Sequence, residues 1–156
     1  LDTTIKTQSQ AVNELRDAII EFETTGAVNE ALKTSVNHSL RDIQVRDFLM
    51  GVTVENHSVE LVASFVEYLA TTAKDDEIAT IYSVLGAYRY QLGNESGAQL
   101  ALDKALEANP KHSLTLLLRR VMASGWSSGA FAAMSRELHP KVVAGIEDSQ
   151  SELLIA

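Results

Sequence analysis

Apolar side chains recur at three- and four-residue spacing along nearly the whole chain, and strand-like alternation bounded by turn residues is almost absent. A chain patterned this way buries its apolar stripes helix against helix, so the expected fold class is all-α, with seven to nine helices. The first helix is expected from Ser9 to Thr25, with Val12, Leu15, Ile19 and Phe22 on one face and Gly26 as a left-handed stop. A second, about Asn29 to Leu40, offers Leu32, Val36 and Leu40; a third starts after Asp42, an N-cap by residue type, with Ile43, Phe48 and Leu49 inward. The pattern breaks over Gly51 to His57, which is the weak seam of the chain.

Ser58 opens the next helix, whose Leu61, Val62, Phe65, Val66 and Leu69 form a wide apolar stripe. Asp75 or Asp76 is expected to cap a helix carrying Ile78, Ile81, Tyr82, Leu85, Tyr88 and Leu92, stopped by Gly93. Asn94 caps a further one with Ala98, Leu102, Ala105 and Leu106, which ends before Pro110. These two, Asp76–Leu92 and Glu95–Asn109, should form an antiparallel hairpin. Ser113 opens a helix with Leu114, Leu117, Leu118 and Val121 inward, stopped by Gly125; Ser127 or Ser128 opens the last, with Phe131, Met134 and Leu138 inward, and His139-Pro140 closes it. That divides the chain into a helical domain over residues 1–139 and a tail over 140–156, either a short docked helix or mobile.

The hairpin resembles a tetratricopeptide unit. Tyr82, Leu85 and Gly86 supply the bulky aromatic and the Leu-Gly pair, Ala98 and Ala105 the small residues where the second helix crosses the first, and Pro110 ends the unit at the repeat's length. A single unit is visible, and a free-standing solenoid takes about three, so the hairpin must be embedded in other helices.

A second resemblance is wider. Val45-Arg46-Asp47-Phe48-Leu49, then Gly86-Ala87-Tyr88, then Ala101-Leu102-Asp103-Lys104-Ala105-Leu106-Glu107-Ala108-Asn109-Pro110 and His112-Ser113-Leu114, resemble the C-terminal part of the actinobacterial family called domain of unknown function 4192. The similarity runs over about residues 40–138. It implies a helical fold in a bacterial or phage setting. Members usually carry an upstream α/β portion, of which no part is expected within these residues, and where many have Gly-Asp-Gly between the hairpin helices this chain has Gly93-Asn94-Glu95. The family has no established activity, so the resemblance implies no mechanism.

Charge and composition narrow the function classes. The formal net charge is −8, and the first half carries all of it: residues 1–78 hold 14 acids against 6 Lys and Arg, residues 79–156 hold 7 against 7. Such a chain repels a phosphate backbone, which disfavours nucleic acid as a partner. There is no cysteine, so thiolate metal sites and cysteine nucleophiles are excluded and the cytoplasm is the expected compartment. No apolar run reaches the ~20 residues of a membrane span. The chain opens with Leu rather than Met, as an excised fragment or processed chain would.

No motif for chemistry emerges. No Gly-Lys-Ser/Thr loop is present, none of His38, His57, His112 or His139 follows a Glu by three residues, and no Gly-x-Ser-x-Gly elbow exposes a nucleophile. His57 with Glu60 leaves a metal short of ligands, Asp75-Asp76-Glu77 reads as acids at the positive end of a helix dipole, and Glu14, Asp17 and Glu21 as a hydrated helix face. No catalytic residue, cofactor or metal ligand is assigned. Trp126 is expected to pack across the helix ends. What remains is a helical interaction or scaffolding module for a protein partner, the alternative being an auxiliary or regulatory part of a larger enzyme whose active portion lies upstream. The candidate partner surface is Arg89, Tyr90, Arg119 and Arg120: Arg89 and Tyr90 fall off the apolar stripe of their helix, the two later arginines follow an apolar run, and three cations select an acidic partner.

Overall fold

The computed structural model describes the backbone of residues 4–149 and 152–155 and the side chains of residues 6–147. Among the described residues the chain forms eight α-helices: α1 (Gln8–Thr25), α2 (Glu30–Ser39), α3 (Ile43–Met50), α4 (Val59–Ala70), α5 (Ile78–Gln91), α6 (Glu95–Ala108), α7 (Ser113–Ala123) and α8 (Ser128–Ser149). A 3-10 turn, Val52–Glu55, separates α3 from α4. Strands β1 (Thr4–Thr7) and β2 (Glu152–Ile155) pair antiparallel, Thr4 opposite Ile155 and Thr7 opposite Glu152. The fold is all-α, with this two-stranded ribbon joining the two ends of the helical array.

Local chemistry sets most boundaries. Gly26, Gly93 and Gly125 each adopt a φ of +79°, the left-handed geometry that ends a helix at little cost only for glycine. Asp42 accepts from the amides of Gln44 and Val45, Ser58 from Leu61, Asn94 from Gly97 and Ser127 from Ala130. The start of α5 differs from expectation. Neither Asp75 nor Asp76 caps it; the buried Glu77 carboxylate turns back to accept from the Lys74 amide at 2.9 Å, and Asp76 pairs with Arg41.

The main core gathers the inward faces of α1 to α5, with Leu15, Ile19, Phe48, Phe65, Leu69, Ile81 and Tyr88 fully buried. Gly51 and Val52 are buried there too and tie the segment Gly51 to His57 to the core, while Val54 and Asn56 within it are exposed. Tyr88 donates from its hydroxyl to the Leu49 carbonyl at 2.5 Å, and burial pushes its phenol far above the ordinary range. A second cluster joins Ala87, Tyr90, Ala98 and Leu102 to Leu114, Leu118 and Phe131, and so carries the packing from the α5–α6 hairpin out to α7 and α8.

Within the hairpin, Arg89 reaches the Gly97 carbonyl, Gly86 faces Ala98 and Leu102, and Lys104 lies over the Tyr82 ring, so the two helices run antiparallel. A Cβ on Gly86 would stand 2.7 Å from Leu102 Cδ2 and 3.3 Å from the Ala98 carbonyl oxygen. Leu85, Ala98, Leu102 and Ala105 are buried at or beside this seam, and Tyr82 is half-buried.

Three expectations are corrected here. Ile43 is 63% exposed, because it occupies the first turn of α3 and Val45 takes the inward position. Leu92 is also exposed, since it follows α5 at the cap where the chain leaves the stripe. The third is the helix end expected at His139-Pro140. Helix α8 continues through Pro140, so the division at 139/140 falls inside a helix, and residues beyond it are neither a separate docked helix nor a tail up to Ser149. Proline removes one donor to the carbonyl four residues back, here Arg136, a cost of about 3 kcal/mol. Both residues are exposed, so water reaches the freed carbonyl, while Val142, Val143 and Ile146 beyond the proline pack on the main core. Tertiary burial overrides the local breaker.

Candidate functional site

Helices α3, α7 and α8 enclose an apolar groove of about 230 Å³. Met50 comes from α3, Leu114, Leu117, Leu118 and Val121 from α7, and Phe131, Met134, Leu138 and Val142 from α8. The periodicity of α7 and α8 places Leu114, Leu117, Leu118, Val121, Phe131, Met134 and Leu138 inward, but the groove is too wide for them to close it. Leu118 and Phe131 are buried at its floor, whereas Leu117 and Leu138 stand at its mouth, each 48% exposed. Arg46 and Asp47 form the polar edge on α3, with the Arg46 Nη2 donating to Asp47 Oδ1 at 2.9 Å.

A polar cluster adjoins the groove at α8, where Ser135 and His139 also line it. His139, 3% exposed, meets Glu55 Oε2 through Nε2 at 3.1 Å, and Arg16 grips the same carboxylate through Nε at 2.8 Å and Nη2 at 2.9 Å. The Arg16 hydrogen bonds hold the Glu55 carboxyl below the usual range, and Glu55 in turn raises the guanidinium of Arg16. The Phe48 ring touches both Arg16 and His139, its centroid 4.8 Å from the Arg16 guanidinium carbon and 4.9 Å from the His139 ring, which is tilted by 49° to it. A carboxylate-oriented histidine is the arrangement used for general-base work. Here the other ring nitrogen, Nδ1, is buried without a hydrogen-bond partner, and a Cβ on Gly51 would stand 2.9 Å from it. Ser135, one turn earlier on α8, makes no bond to it. The cluster ties α1, the 3-10 turn and α8 together beside the groove. Arg16, Glu55 and His139 are far apart in sequence and follow no shared periodicity, so no sequence signal marked them as one unit.

The four residues expected on a partner surface separate. Tyr90 is buried, 3% exposed: its hydroxyl donates to the Trp126 carbonyl and its ring meets Phe131 edge to face at 5.7 Å. The off-stripe phase that argued for exposure points instead toward α7 and α8, because α5 is the central helix and is covered on both sides. Arg89 donates to Glu67 at 2.8 Å and to the Gly97 carbonyl at 3.2 Å, and lines a shallow groove beside the hairpin with Tyr82, Leu100 and Lys104. Arg119 turns toward α6, bonding Asp103 and the Gln99 carbonyl. Arg120 alone of the four is exposed and makes no ion pair among the described residues. Trp126 is 40% exposed, and its carbonyl accepts from Tyr90.

Among the described residues there is no group of three or more His, Asp or Glu side chains placed to hold a metal, and no helix is long and apolar enough to cross a membrane. No curated protein and no solved structure matches the chain. A family model described as a domain of unknown function (DUF4192) matches residues 2–128, which takes in the Val45–Leu49 run, the α5–α6 hairpin and the first forty residues, upstream of the span expected from the sequence. The chain is a member of that family.

Proposed function

We propose that this chain is a protein-interaction module whose partner lies in the groove between α3, α7 and α8, with the α5–α6 hairpin, read as tetratricopeptide-like, as the scaffold that positions α7. One observation carries the reading: Leu117 and Leu138 face each other's helices across an apolar groove and each leaves about half its surface to solvent. Large side chains presented together at the mouth of a concave apolar site are what a binding anchor inserts between. The earlier candidates support it less. Arg89 and Arg119 are already satisfied by Glu67 and Asp103, so the contribution they have left for a partner is small.

Selection of a randomised peptide library on the immobilised domain tests the reading. The expected result is enrichment of peptides with apolar anchors at helical spacing, all of them released by Leu117→Glu. Enrichment that survives Leu117→Glu in a folded variant, or no enrichment at all, overturns it.

A further inference from the structure

We infer that the occupant of the α3–α7–α8 groove is an acidic amphipathic helix of a partner protein, a proposal that rests on the reading of this groove as the binding face. The groove supplies the apolar half of the argument and the charge around it supplies the other. Residues 111–141 hold five Lys or Arg and one acid, Glu137, inside a chain whose formal charge is −8. Four of those five, Arg119, Arg120, Arg136 and Lys141, stand on the two helices that form the groove walls.

Position on each helix matters more than the count. Arg120 follows Leu117 by three residues and Lys141 follows Leu138 by three, so each cation lies one turn from a mouth leucine and displaced toward solvent. Both side chains are exposed, and neither makes an ion pair among the described residues. Arg46 and Arg119, by contrast, are paired with Asp47 and Asp103 and are neutral units toward a ligand. The groove thus presents an apolar floor between two rims, with Arg120 on α7 and Lys141 on α8 one turn beyond Glu137, and over residues 113–141 the two walls hold four cations against that one acid. A helix with apolar anchors on one face and acids on the flanks matches that pattern; a basic amphipathic helix would place like charges against both rims. Asp47, the acid of the first half that lines the groove, is already paired with Arg46.

The test uses the whole domain and two synthetic helical peptides of roughly 16 residues. Both carry Leu at positions i, i+4 and i+7, one flanked by Glu and the other by Lys, and binding is followed by fluorescence anisotropy at about 150 mM salt. The Glu peptide should bind roughly tenfold more tightly, and the variant Arg120→Glu with Lys141→Glu should invert the order. Circular dichroism checks the fold, and Arg120→Gln with Lys141→Gln should abolish the preference without inverting it. Equal affinity for both peptides, or a preference unmoved by charge reversal, overturns the acidic partner and leaves the groove standing. If neither peptide binds the wild-type domain, the groove reading fails with it. Sedimentation with phosphatidylserine vesicles, lost in the charge-reversed variant and without peptide binding, would replace the protein partner by an anionic lipid surface.

Discussion

The α5–α6 seam and the α7–α8 groove are built from the same element, two neighbouring helices joined by a glycine-stopped turn, yet one closes and the other stays open. At the seam the facing residues are Gly86, Ala98 and Ala105, and the backbones come so near that a single added Cβ meets Leu102 at 2.7 Å. In the groove the facing residues are Leu114, Leu118, Phe131 and Met134, long side chains that hold their helices apart and leave about 230 Å³ unfilled. Side-chain size at the contact sets the approach of the helices, and the approach decides whether a surface is core or site. The tight region makes the fold unique. The loose one leaves apolar surface for something else to cover.

Phe131 is where the two regions are joined, since it packs on Tyr90 of α5 and also floors the groove. Phe131→Ala should destabilise the domain by about 3–5 kcal/mol, toward the lower end because the space it vacates opens onto the groove and admits water. Chemical denaturation followed by circular dichroism measures this; a loss below about 1 kcal/mol would mean that α7 and α8 hold to the hairpin by other contacts. Ala98→Leu comes next. It overpacks the seam and should cost about 1–3 kcal/mol. An unchanged midpoint would show that the seam has slack and that its contrast with the groove is overstated.

How far the sequence carried this comparison depends on the kind of signal. Caps and stops are local chemistry, and Gly26, Asp42, Ser58, Asn94 and Gly125 were legible because each acts on amides or carbonyls a few residues away. The hairpin was legible because glycine and alanine at seam spacing have a steric meaning of their own. Burial around a central helix was not. Tyr90 fell off the α5 stripe by phase, but a stripe argument assumes one buried face, and α5 has α4 on one side and α7 with α8 on the other. Leu117 and Leu138 failed the opposite way: their phase was right, and only the width of the groove, a tertiary quantity, exposes them. The Arg16–Glu55–His139 cluster left no trace in the sequence because three isolated polar residues on unrelated segments look like ordinary surface.

Protonation separates the groove side from the rest of the fold more gently. His112 lies just before α7, its Nδ1 2.8 Å from the Thr115 hydroxyl, and burial, then the nearby Arg46, lowers its pKa. His38 is lowered by burial and then by Arg41. A histidine depressed in the folded state is less protonated there than in the unfolded chain. Its stabilising contribution is complete above the unfolded value of about 6.5 and is lost as pH falls from there through the folded value. The melting midpoint should decline as pH drops below about 6.5, with a shallower slope in His112→Gln and a shallower one still when His38→Gln is added. A further decline below about 4.3 belongs to Glu55, whose depressed carboxyl must then be protonated away from Arg16. If His112→Gln leaves the slope unchanged, the start of α7 is more open to water than the structure places it.

The smallest effect on stability should be at Leu117, and it is the most informative about the groove. Leu117 and Leu118 are consecutive on α7, of identical type and equal helix propensity, yet Leu118 is 2% exposed and Leu117 48%. Leu118→Ala would remove packing from the second core cluster, in the range of about 2–5 kcal/mol for a buried leucine. Leu117→Gln keeps the length and the helical backbone, already has water along half its side chain, and should shift stability by no more than about 0.5 kcal/mol. Denaturation midpoints of the two variants, measured side by side, settle whether the groove mouth is solvent-facing in the free domain. A large loss at Leu117 would mean that α7 and α8 close on each other in solution, and the open groove, with the partner inferred for it, would go.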